Sequence, residues 1–141
     1  MIILDTNVVS EFMRANPHAG VIAWADDVPR DELWTSSTTV AEISAGIALL
    51  PAGQRKDRLV EGLQQMLALF DGRILPFGTG AALHYGAIID SRSRAGRPIS
   101  VADAQIAAIA RESGAILATR NTSDFEGVGV ELIDPWAVRR K

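Results

Sequence analysis

Short apolar runs alternating with segments of helical periodicity constrain this chain more than any other feature of its sequence. Ile2–Leu4, Leu33–Thr35, Ile74–Phe77, Ile116–Ala118 and Glu131–Ile133 are too short for helices and apolar enough for buried strands. Between them lie helical segments. Val8–Phe12 is a short one, and Pro17 opens another that runs through Ile22 and Trp24. Thr39–Leu50 carries Val40, Ile43, Ile47 and Leu50 on one face and is stopped by Pro51. From about Arg55 to Phe70 the residues Leu59, Val60, Leu63, Met66, Leu67 and Phe70 keep amphipathic spacing. Ala81–Arg94 and Val101–Ser113 complete the set. Strands separated by helices require parallel crossovers, which predicts an α/β fold: a three-layer α/β/α sandwich around a mainly parallel central sheet.

The 141 residues suffice for one domain with a proper core, spanning 1–141, and no linker or repeat divides them. Cysteine is absent, which excludes disulfides, thiolate zinc sites and a cysteine nucleophile. No apolar run approaches the roughly 18 residues of a membrane span. No basic segment precedes Ile2 as it would in a signal peptide. The expected compartment is the cytoplasm. A net charge of −3 gives no global basic footprint, although the basic residues are arginine apart from Lys56 and Lys141. Arginine suits bidentate phosphate contacts.

In open parallel sheets ligands gather beyond the carboxyl ends of the strands. Asp5 directly follows the first strand, and Asp124 lies in the loop after Ile116–Ala118. Asp103 and Glu42 are each expected in the opening turn of a helix. Four acids from four segments thus map to one edge of the sheet. Crowded carboxylates repel one another unless a cation sits among them, and Mg²⁺ or Mn²⁺ suits oxygen ligands. Such an ion would activate water and neutralise a phosphate. Each acid also has a plain structural reading. Ser100-x-x-Asp103 and Thr39-x-x-Glu42 match the capping box, Asp5 is placed to cap the following helix, and Asp124 is placed to make a turn. Their joint placement favours the metal site.

Other chemistries lack their residues. Asn7 stands where a haloacid-dehalogenase-type phosphatase needs a second acid, and no lysine fits a phospho-receiver. Gly78-Thr79-Gly80 lacks the third glycine of a dinucleotide fingerprint and reads as a loop. His18 reads as a capping or solvated residue, and His84 falls in mid-helix without a nucleophile elbow nearby. Arg92, Arg94 and Arg97 allow two readings: a solvated helix end complementing the dipole, or guanidinium groups beside the acids that hold an RNA backbone. Trp24, Trp34 and Trp136 read as core or interface residues.

Ile3-Leu4-Asp5-Thr6-Asn7-Val8, Thr39-Val40-Ala41-Glu42, Asp103-Ala104-Gln105-Ile106-Ala107-Ala108, and Thr119-Arg120-Asn121 with Asp124-Phe125 together resemble the PIN domain of VapC-type toxins. The ending Gly129-Val130-Glu131-Leu132-Ile133-Asp134-Pro135-Trp136 is similar to the FitB-like branch. The resemblance covers essentially the whole chain. It implies a Mg²⁺-dependent endoribonuclease, with Mn²⁺ a possible substitute, in which Asp5, Glu42 and Asp103 correspond to the family's acids and Asp5 and Asp103 to its magnesium ligands. For the fourth acid the expectation is Asp124, with Asn121 a neutral contact. Asn7, Arg92, Arg94, Arg97 and Asn121 are the candidate substrate contacts. The resemblance further implies a homodimer and a cognate VapB-type antitoxin docking on the apolar region Val40 to Phe70, with promoter DNA reached only through that antitoxin. The alternative reading is a weakly catalytic partner of a DNA-binding antitoxin that acts in transcriptional autoregulation.

Overall fold

The computed structural model describes residues 1–138; Arg139, Arg140 and Lys141, the end of the expected 1–141 domain, lie outside the described residues. In chain order the elements are β1 (Ile2–Leu4), α1 (Thr6–Phe12), α2 (Ala19–Asp26), β2 (Leu33–Ser36), α3 (Ser37–Ala48), α4 (Gln54–Leu69), β3 (Ile74–Leu75), α5 (Thr79–Arg94), α6 (Val101–Ser113), β4 (Ile116–Ala118) and β5 (Leu132–Ile133). Two 3-10 turns, Arg30–Glu32 and Thr122–Phe125, lie between them. All strand pairs are parallel, in the order β3-β2-β1-β4-β5.

Side chains alternate across this sheet, so each face has its own core. Ile3, Trp34, Leu75, Leu117 and Leu132 pack with α5 and α6 residues such as Ile88, Ile106 and Ile109. Ile2, Leu4, Leu33, Ile74, Ala118 and Ile133 pack with Val8, Val9, Trp24, Ile43, Ile47, Met66 and Phe70 from α1 to α4. The result is the expected three-layer sandwich. In α6 the buried Ala104, Ala107, Ala108 and Ala110 allow close approach, and the helix ends at Gly114, whose φ of 63° is left-handed.

Several boundaries differ by one or two residues from the sequence expectation; α2, for example, starts at Ala19 with His18 as its cap rather than at Pro17, and three others have clear local reasons. β3 stops at Leu75 because Pro76 has no N–H to give the ladder. α1 begins at Thr6, earlier than Val8, because Asp5 caps it. α3 begins at Ser37, because the Ser36 hydroxyl accepts from Thr39 N at 3.1 Å. Thr39 therefore lies inside the helix, and Glu42 falls in its second turn, so the expected Thr39–Glu42 capping box does not form. Among the described residues no helix is long and apolar enough to cross a membrane.

Candidate active site

The chain leaves β1 on the side of β2 and β3 and later returns to its other side as β4. β1 and β4 therefore flank the point where strand order reverses, the usual place for a ligand crevice. Leu4 pairs with Ala118, so Asp5 and Thr119 follow in adjacent register. Asp5 N donates to the Ala118 carbonyl at 3.0 Å, which fixes the first acid to the sheet edge.

Asp5 is 4 % exposed. Its Oδ1 accepts from Val8 N at 3.1 Å, so the residue caps α1. Burial pushes its pKa from 3.8 up to about 6; hydrogen bonds from the Thr119 side chain and from Val8 and Asn7 N–H groups oppose this, and the charge of Asp103 adds to it.

Asp103 is half-buried in the first turn of α6, where Ser100 Oγ accepts from its N–H at 3.2 Å. Burial raises its pKa above the ordinary aspartate value; the Ser100 hydroxyl lowers it, Glu42 and Asp124 raise it by charge, and Arg92 lowers it. Asp103 thus interacts with each of the other three acids. Glu42 is exposed and accepts a short hydrogen bond from the Thr6 hydroxyl at 2.5 Å, and Thr6 Oγ1 also lies 3.3 Å from that of Thr39. Asp124 is exposed on the second 3-10 turn, which is anchored by the buried Phe125. Asn121 is exposed beside it; its N–H donates to Thr119 Oγ1 at 3.1 Å, and its carbonyl accepts from Asp124 N at 3.0 Å. Asn7 is exposed at the start of α1.

The donor set is carboxylate oxygen throughout. His18 is occupied elsewhere, its Nδ1 accepting from Gly20 N and Val21 N as the cap of α2. Among the described residues no three acidic or histidine side chains are drawn into a ready-made metal cage. The pocket's chemistry fits a hard divalent cation that takes few protein ligands and keeps its waters.

The PIN-domain family profile matches residues 2–130. The chain belongs to the PIN-domain family. Among the curated relatives of this PIN domain, the plasmid stability protein StbB of Pseudomonas syringae pv. tomato is 44% identical over 137 residues, 96% of this chain and 99% of that protein. Toxin FitB of Neisseria gonorrhoeae is 42% identical, again over 96% and 99%, and the VapC ribonuclease Y4jK of Sinorhizobium fredii is 41% identical over 96% and 98%. The solved structure of FitAcB from Neisseria gonorrhoeae superimposes with a TM-score of 0.89 at 42% identity, covering 98% of this chain and 100% of that one. That of FitAB bound to a DNA fragment gives 0.90 at 40%, covering 99% of each.

The arginines of this PIN domain do not stand as the RNA-binding reading had them. Arg92 is buried, with Nη1 donating to the carbonyls of Ser123 at 3.3 Å and Glu126 at 2.9 Å, so its guanidinium is turned inward. Arg97 donates to the Ser123 carbonyl at 2.9 Å and pairs with Glu126 at 2.6 Å. Arg94 is exposed and pairs with Asp90 one helical turn away. Of the three, Arg94 alone carries its charge free of the loop that bears Asp124. Trp24 is core, Trp34 donates to the Asp31 carbonyl, and Arg120 stacks on Trp136 at 5.1 Å.

Two contributors escaped the sequence reading. Thr119 touches both Asp5 and Asn121, and Thr6 steadies Glu42. Thr119 had a signal: it follows β4 as Asp5 follows β1.

Proposed function

We propose that the chain is a metal-dependent endoribonuclease and the toxin of a type II toxin–antitoxin pair. The observation that carries this is Asp5: a buried carboxylate at the strand-order reversal, sharing its field with Asp103, which in turn senses Glu42 and Asp124. Such an arrangement is unfavourable without a positive charge and becomes favourable with one. Relatives named VapC ribonuclease and tRNA(fMet)-specific endonuclease support the reaction class.

Asp5 and Asp103 would hold Mg²⁺ or Mn²⁺, two carboxylates being a sufficient protein share for an ion that also takes phosphate and water. When bound, the ion supplies charge neutralisation at the phosphate and an acidified water. Glu42, steadied by Thr6 and exposed to solvent, is placed to orient an attacking water and accept its proton. Asp124 completes the anionic rim, and Asn121 and Asn7 offer neutral side chains at its edge. The similarity to Toxin FitB and to the solved FitAB and FitAcB structures supports an antitoxin partner. A groove of about 750 Å³ lined by Phe12, Met13, Ile22, Met66 and Phe70, with Arg14, Arg30 and Arg73 among its charged residues, joins α1 and α2 to α4 of the expected docking region and includes no residue of α3. A homodimer in the cytoplasm, reaching promoter DNA through the antitoxin, completes the reading. A second reading, partnership in autoregulation with little turnover, is favoured by the similarity to FitAB, solved bound to a DNA fragment.

The test is cleavage of RNA in Mg²⁺ or Mn²⁺ with EDTA as control. Asp5→Asn and Asp103→Asn are each expected to abolish cleavage with the fold intact. Full activity in either variant removes the proposed site, and DNA binding with the partner without any metal-dependent cleavage favours the second reading.

A further inference from the structure

The turn that carries Asp124 is held from outside. Within it, Asp124 N donates to the Asn121 carbonyl, and no side chain caps its start. The grip comes from the end of α5 and the loop after it. Arg92 Nη1 bridges the Ser123 and Glu126 carbonyls, one on either side of Asp124. Arg97 donates to the same Ser123 carbonyl and pairs with the Glu126 carboxylate. Ser91 Oγ donates to the Gly127 carbonyl at 3.3 Å.

Arg92 is an expensive way to tie down a loop. Its guanidinium is buried, it has no carboxylate ion pair among the described residues, and its Nε has no hydrogen-bond partner. An apolar side chain here would avoid burying a charge but would leave the Ser123 and Glu126 carbonyls without this donor. A group that holds two carbonyls at a fixed separation, one on either side of Asp124, needs the planar guanidinium, which neither an apolar side chain nor a single ammonium reproduces.

We propose that Arg92, seconded by Arg97, is the positioning residue for the fourth acid: its bridge across Ser123 and Glu126 sets the Asp124 carboxylate beside Asp103. This rests on the reading of the acids as a divalent-metal site. Groups that orient a metal's ligands typically change affinity by about 10- to 100-fold when removed.

The experiment measures Mn²⁺ binding to the purified chain by titration calorimetry, without substrate. Arg92→Met and Asp124→Asn are each expected to weaken binding about ten-fold, and the double variant no more than Asp124→Asn alone. Arg92→Lys is expected to keep most of the defect, since one ammonium cannot reproduce the planar bridge. Hydrogen exchange at the Asp124 amide should quicken in Arg92→Met. Unchanged Mn²⁺ affinity in folded Arg92→Met, or losses that add in the double variant, would overturn the proposal. Should Arg92→Met not fold, Arg97→Ala leaves the buried group in place; about a three-fold loss that disappears in the Asp124→Asn background is then expected, and wild-type affinity refutes the clasp. Asp5→Asn separates the two failures. If it too binds Mn²⁺ normally, the metal-site reading falls and takes the clasp with it; if it loses binding while the Arg92 cycle is additive, only the clasp falls.

Discussion

Asp5→Asn should stabilise the metal-free protein near neutral pH while destroying its activity. Holding an aspartate at about 6 instead of 3.8 costs the ionised folded state about 3 kcal/mol. The sign follows from proton counts. Between the two values the unfolded chain has released its proton and the folded chain still holds it, so this group's contribution falls as pH rises through that window and is lowest above it. About 2 kcal/mol of the loss accrues between roughly pH 4.5 and 8. The neutral amide has no such dependence, and its oxygen can still accept from Val8 N. The assay is thermal or urea unfolding of both proteins in EDTA. Relative to wild type, Asp5→Asn should gain about 2 kcal/mol between those limits, about 6 °C in Tm for a chain of this size. Mg²⁺ at about 100 times its Kd should then raise wild type by about 2.7 kcal/mol and leave the variant unmoved. A stability difference constant across pH, or an equal Mg²⁺ response, would refute the account of Asp5 as a buried anion awaiting a cation.

Thr119→Val removes the hydroxyl that favours ionised Asp5, so the acid limb of the pH–rate profile should move to higher pH; an unmoved limb would take Thr119 out of the site. Phe125→Ala empties the fully buried anchor beneath the Asp124 turn and should cost about 3–5 kcal/mol in urea unfolding. Arg94→Ala breaks an exposed pair, 81% and 62% accessible, and should leave stability within about 0.5 kcal/mol. If Arg94 holds RNA, the same variant raises KM at unchanged kcat, and an unchanged KM removes it from the substrate path.

The layers were legible because burial on both faces leaves short, wholly apolar strands, and Ile2–Leu4 and Ile116–Ala118 end where the runs end. The placement of Asp5 at a strand end and of Asp103 in a helix first turn was legible because the apolar runs and the capping serine mark those positions locally. The arginines were not. Whether Arg92 faces solvent or the Ser123 and Glu126 carbonyls depends on how α5 meets a loop more than thirty residues later, and no local pattern records that meeting. The Thr39–Glu42 box failed because Ser36, three residues upstream, was an equally good cap and sat directly at the strand end. Thr6 was hidden by the same distance, its partner Glu42 lying in another helix.

The central strand of this sheet is the first to be synthesised and among the last to be enclosed. β1 supplies Asp5 at once, yet β4, its neighbour on one side, and the turn with Asp124 come only near the end of the chain. Closure of the candidate site therefore waits on contacts of large sequence separation, which form slowly. A chain ending before β4 would leave Asp5 without the Ala118 carbonyl that ties it to the sheet edge.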